Sequence, residues 1–235
     1  MSTVNLSKQT VNLTKGERIN LSKSSEGLKK ILVGLGWDPA DENGYRTESV
    51  LVQPGFIGKL FGAKDKVVER TVRTGSNETI DCDAWLALLS GGRLLNNMDI
   101  VYYGRKEYYN DSELVVLHHG DNLTGEGEGD DEQITINLDK LPDKYDSIVV
   151  GVTIYQGKSK GQSFDNIKNT FIRIVDEKDN FEICRFNQAE MAEDKGSITF
   201  IAGKLYKDKG EWQFTAVGKG TKDASIGDAA NHYRY

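Results

Sequence analysis

The stretch ITFIAGKLYKDKGEWQFTAV, residues 198–217, holds two apolar runs, Ile198 to Leu205 and Trp212 to Val217, on either side of Lys207-Asp208-Lys209-Gly210. Alternating side chains suit a strand with one buried face, and a short polar, glycine-closed link suits a tight hairpin turn. The same pattern recurs along the chain. Lys30 to Trp37, Ala84 to Leu89, Ile100 to Tyr103, Leu114 to His118 and Ile134 to Leu138 are short runs rich in Val, Ile, Thr, Tyr and Phe. Ile148 to Tyr155, Phe171 to Val175 and Phe181 to Phe186 continue the series, with Asp176 to Asn180 reading as a second hairpin turn. Many short strands separated by turn residues predict an all-β chain, an antiparallel β-sandwich with short helical turns. Helix is confined to a turn over 163–169, with Ser163 as N-cap, and a C-terminal helix over 222–232.

The 235 residues have enough apolar content for one real core, so residues 1–235 read as a single domain. An echo opens the chain: Val4-Asn5-Leu6-Ser7-Lys8, Val11-Asn12-Leu13-Thr14-Lys15 and Ile19-Asn20-Leu21-Ser22-Lys23, with a distant copy at Ile136-Asn137-Leu138-Asp139-Lys140. A spacing of seven to eight is too short for a solenoid unit, so these are read as strand ends leading into similar turns. Residues 39–80 stand apart as an extended insertion loop. There Phe56, Ile57, Leu60 and Phe61 interleave with Lys59, Lys64 and Lys66, which suits either a plug in a sandwich mouth or a surface for a partner or an anionic membrane.

A net charge of −6 argues against nucleic-acid binding, which needs a basic face. The two cysteines, Cys82 and Cys184, are expected as buried thiols, since a chain with its own core needs no disulfide framework. No signal-like or membrane-spanning run is present, so a cytoplasmic location is expected.

Much of the negative charge sits in GDNLTGEGEGDDE, residues 120–132. From Asp121 to Glu132, six of twelve side chains are carboxylates and Asn122 adds a carboxamide. Crowded like charges repel unless a counter-ion joins them. Calcium accepts six to eight oxygens in irregular geometry, and Gly125, Gly127 and Gly129 let carbonyls turn inwards. Zinc and copper are less suited, because the loop offers no thiol and His118 and His119 precede it. An EF-hand is excluded by Leu123, Gly125 and Glu126 at its third, fifth and sixth positions, and by flanking strands. Phosphate cradling is excluded by Glu126 and Glu128. The bland alternative is a solvated acidic hairpin tip.

These residues carry a resemblance. GDNLTGEGEGDDE, KKILVGLGWD ending at Asp38, GQSFDNIKNTFIRIVD from Gly161, DCDAWLALL from Asp81 and GKLYKDKGEWQFTAVGKG from Gly203 together resemble the TerD family of tellurium-resistance and general-stress proteins. The resemblance implies a bacterial, cytoplasmic, calcium-binding β-sandwich that acts without catalysis, as sensor, buffer or scaffold for unknown protein partners. The alternatives are a calcium-dependent docking module for membranes or partners, or a metal-assisted enzyme, for which no nucleophile elbow or HExxH motif is present. Carried over by position, Asp121, Asn122, Asp130, Asp131 and Glu132 form the calcium loop. Asp81 and Asp83 match a DLDAS-like motif, with Cys82 for Leu and Trp85 for Ser. On a strand they share one face, as metal ligands or as caps at its start.

Tyr155-Gln156-Gly157 replaces the family's usual His-Asp-Ala, removing an acid on which a second, weaker cation site would draw. The insertion at 39–80 also exceeds the family's loop. Counting strands up and down places Asp81 at the end opposite the Asp121 loop, and puts Asp99 and Gln162-Ser163 at the loop's own end. Either a strand within 100–118 is then not a full traverse, or the two acidic motifs are not one site.

Overall fold

Every predicted strand forms. A computed structural model describes residues 9–39, 45–52, 66–73, 80–120, 129–187 and 195–234. Two sheets face each other, all pairs antiparallel but one. The first contains β1 (Val11–Leu13), β3 (Lys30–Pro39), β8 (Glu107–Asn110), β9 (Glu113–His118), β10 (Glu132–Asn137), β12 (Ile167–Asp176) and β13 (Phe181–Asn187), in the spatial order β1-β13-β12-β3-β10-β9-β8. The second contains β2 (Arg18–Asn20), β6 (Cys82–Leu89), β7 (Ile100–Val101), β11 (Ser147–Ile154), β14 (Thr199–Asp208) and β15 (Glu211–Thr221), in the order β2-β15-β14-β11-β6-β7. The exception is β1, which runs parallel to β13.

Alternation sorts the side chains. Val33, Leu35 and Trp37 of β3 and Ile134 and Ile136 of β10 meet Cys82, Ala84, Leu86 and Leu88 of β6 in the core between the sheets. The outer face of the second sheet is covered too. There Trp85, Ala87, Leu89 and Val149 pack under Ala229 and Ala230 of the C-terminal helix α2 (Ile226–Asn231). This explains why β6 and β11 are buried at every position and read as unbroken apolar runs. The 198–217 hairpin closes as expected, with Lys209 at φ +52° and Gly210 at φ +83° between the paired Asp208 and Glu211. Asn180 at φ +56° turns the chain between β12 and β13.

The helical readings hold in shortened form: a 3-10 turn spans Phe164–Asn166 after Ser163, and the C-terminal helix starts at Ile226. At the 3-10 turn Asn166 Oδ1 accepts the Ser163 N–H at 3.0 Å, so Asn166 reaches back to cap the turn. The described copies of the N-terminal echo sit at strand ends, and the third leads from β2 into the short helix α1 (Leu21–Ser24). Within the 39–80 segment, β4 (Tyr45–Val52) and β5 (Lys66–Arg73) pair as an antiparallel hairpin. The Phe56 to Lys64 stretch lies outside the described residues. Among the described residues no helix is long and apolar enough to cross a membrane.

Candidate metal-binding end of the sandwich

The acidic run leaves β9 after His118 and re-enters the sheet at β10, so strands flank it on both sides. Asp121 and Asn122 lie outside the described residues; Gly129, at φ +110°, and the three acids after it are described. Those three neighbours go in three directions.

Asp130 lies on the outer face of the first sheet, with its side chain 0 % exposed. Arg173 of β12 grips it in bidentate fashion, Nε to Oδ1 at 2.7 Å and Nη2 to Oδ2 at 3.0 Å, and Gln133 Nε2 donates at 3.1 Å. Space for the carboxylate comes from glycine. A Cβ on Gly34 would collide with the Asp130 carboxylate, and one on Gly36 with the Phe171 ring and the Gly129 carbonyl. Bonding to Asp130 comes first among the causes that raise the Arg173 pKa, above the opposing effect of burial.

Asp131 lies over the end of β3. Its N–H donates to the Leu35 carbonyl at 2.7 Å, and its Oδ2 accepts from the Trp37 N–H at 2.8 Å. Glu132 turns into the interior, where Oε2 accepts the Ala84 N–H of β6 and so ties one sheet to the other.

His118 sits beside this tie, Nε2 3.7 Å from Glu132 Oε2, both side chains fully buried. Its Nδ1 accepts from the Gly120 N–H at 3.3 Å and its Nε2 meets the Ala84 carbonyl at 3.2 Å, so both ring nitrogens are occupied by backbone. His119 points the other way and bonds Thr135 Oγ1 at 2.7 Å, so the two histidines take opposite faces as expected. Cys82 is also buried here. Burial raises its thiol pKa most, and the charges of Asp81, Glu132, Asp83 and Asp131 raise it further.

Asp81 and Asp83 stand at the start of β6, at the same end of the sandwich as Asp131 and Glu132. The up-and-down count is corrected on this point. β7 is two residues long, and the chain then crosses to β8 in the other sheet, so residues 100–118 do not make the simple traverses assumed. Asp99 is likewise corrected: it accepts from Tyr145 Oη at 2.7 Å, next to Asp146, whose N–H bonds the Leu89 carbonyl at the far end of β6. Gln162 and Ser163 do fall at the acidic end. There Gln162 N–H bonds Gly157 O and Phe164 N–H bonds Ser197 O, just beyond β11 and just before β14.

Strand alternation places Asp83 on the outer face with Trp85, opposite Thr153, while Cys82 and Ala84 face inwards. Asp81 precedes β6, and its carbonyl accepts the Tyr155 N–H at 2.8 Å. The Asp81–Asp83 pair and Glu132 therefore approach β6 from different faces. At the neighbouring corner Tyr155 packs edge-on against Tyr103, 6.1 Å between centroids, with Lys160 Nζ 5.7 Å from its ring. Among the described residues no three of His, Cys, Asp and Glu are close enough together to hold a metal ion.

Sequence reasoning did not single out Arg173, Gly34 or Gly36, although the G-L-G spacing inside an apolar strand is itself a signal that something packs closely on it.

Two facing sheets, with an acidic run joining β9 to β10, make the chain a β-sandwich. A TerD domain signature matches residues 9–233, and the chain belongs to the TerD family. It is 37% identical over 223 residues to the stress response protein SCP2 of Bacillus subtilis (strain 168), covering 95% of this chain and 98% of that protein. It is 33% identical over 211 residues to the tellurium resistance protein TerD of Serratia marcescens, covering 90% of this chain and 91% of that protein. A solved TerD homologue from Streptomyces coelicolor A3(2) has a similar fold, with a TM-score of 0.55 at 19% identity over 87% of this chain and 99% of that one.

Proposed function

We propose that this chain is a calcium-binding stress-response protein of the cytoplasm that works without catalysis, as a sensor, buffer or scaffold. The observation that carries the reading is that Asp81, Asp83, Asp131 and Glu132 all lie at the end where the acidic run joins the sheet, each within electrostatic reach of Cys82. The donors there are oxygens. His118 is bonded to backbone through both nitrogens, and burial and surrounding charge keep the Cys82 thiol protonated. Such a set suits a hard cation better than zinc or copper.

Asp131 and Glu132 would supply carboxylate oxygens from β10, together with Asp121 and Asn122, and Asp81 and Asp83 would supply them from the start of β6. Calcium would contribute positive charge that offsets their mutual repulsion. The backbone donors at Trp37 and Ala84 aim Asp131 and Glu132 before any cation arrives, which lowers the ordering cost of binding. The names of its relatives, stress response protein and tellurium resistance protein, support a role under stress, through partners that would read the cation-bound end.

Calorimetric titration of the purified chain with calcium chloride tests the reading. A saturable heat that disappears in Asp131→Asn is expected. A wild-type chain with no binding heat, and the same melting temperature in calcium as in chelator, would overturn it.

A further inference from the structure

We infer that Asp130 is a positioning residue, a latch that seats the end of the acidic run on the sheet, and that Arg173, Gly34 and Gly36 form its seat. This rests on the calcium reading only for its effect on affinity. Three observations support it. Asp130 is fully buried against a protein cation, whereas Arg173 is 28% exposed and is the more solvated partner. Arg173 meets both carboxylate oxygens, and Gln133 adds a third donor, so the group is satisfied by the protein itself. The seat is cut to fit: β3 gives up side chains at Gly34 and Gly36, in the middle of a sheet, where glycine weakens a strand.

The latch has a direct outlet. Asp130 adjoins Asp131, whose N–H and carboxylate both bond β3, so fixing the first fixes the aim of the second. Seating therefore acts on the two acids that follow rather than on a cation directly.

The test separates a latch from a ligand. Arg173→Lys keeps the charge but loses the bidentate fork, and Gly34→Ala fills the seat against the Asp130 carboxylate while leaving every charged residue in the sequence unchanged. Both variants, and Asp130→Asn, are expected to weaken calcium binding by about tenfold, the scale of a lost charge-assisted pair, with unchanged stoichiometry. The Asp130→Asn/Arg173→Lys double variant is expected to bind no more weakly than either single one. Glu182→Gln, which removes the other partner of Arg173, is expected to stay within about twofold of wild type.

Wild-type affinity in Arg173→Lys and Gly34→Ala, with loss only in Asp130→Asn, would overturn the latch and make Asp130 a ligand. Amide exchange of Trp37 and Asp131 in calcium-free buffer gives a readout that needs no calcium. It is expected to quicken in all three single variants, and unchanged exchange overturns the latch even if calcium binds. Quickened exchange in a chain that takes up no calcium supports the latch while rejecting the calcium reading. If Gly34→Ala does not fold, Arg173→Lys decides.

Discussion

Glu132→Gln is the substitution that asks most of the proposed site. The amide keeps the shape of the side chain, and its oxygen can still accept the Ala84 N–H that joins the two sheets. Without calcium the change replaces a charge-assisted hydrogen bond by a neutral one, a loss of about 1 kcal/mol. Removing one charge beside Asp131 offsets part of that loss. In chelator the variant should therefore melt within about 4 °C of wild type, at roughly 2–4 °C per kcal/mol for a chain of this size.

Calcium at about a hundred times its Kd would stabilise wild type by roughly 2.7 kcal/mol, or about 5–10 °C. If the variant binds about a hundredfold more weakly, the same calcium adds only about 0.4 kcal/mol. The gap between the two proteins should thus widen by roughly 2 kcal/mol on adding calcium. Differential scanning calorimetry in chelator and in calcium measures both gaps. Equal gaps in the two buffers would refute a ligand role for Glu132 and leave it as a structural tie.

Tyr145→Phe removes the hydroxyl that donates to Asp99 at 2.7 Å and meets Tyr108 at 3.0 Å, and should cost about 1.5–3 kcal/mol by denaturant unfolding. Burial tends to raise the Glu182 pKa, but the bonds from Arg185 and Arg173 outweigh it and leave it lowered. A lowered native pKa gives stability that is present above the ordinary 4.5 and lost as pH falls through the native value, so Glu182→Gln should flatten that part of the acid-unfolding curve. Burial raises both thiols, Cys184 to about 12, so neither should react with Ellman's reagent in native protein at pH 8, and both should react in guanidinium.

The strands and hairpins were legible because alternation and turn chemistry are local. Residues 198–217 state their own pairing, and Lys209-Gly210 turn where the sequence says they should. The unbroken apolar runs of β6 and β11 were legible as strands, but the helix that covers their outer face was not, since nothing in 84–89 names Ala229 and Ala230. Strand order was the weakest reading. A two-residue β7 followed by a crossing to the other sheet moved Asp81 to the acidic end and Asp99 away from it. The acidic composition of the run was plain, but its division of labour was not. Whether Asp130 meets an arginine or Glu132 a backbone amide depends on partners that only the folded sheets bring near.

Those distances along the chain also bear on how the molecule assembles. Asp130 meets Arg173 43 residues on, Glu132 meets Ala84 48 residues back, and Asp131 meets Trp37 94 residues back. Contacts this distant in sequence repay their loop-closure entropy only after both sheets have come together. The acidic end should therefore close late, after the rate-limiting step of folding. Weakening it would hasten unfolding and leave the folding rate nearly untouched, so whatever tightens this end lengthens the lifetime of the native state.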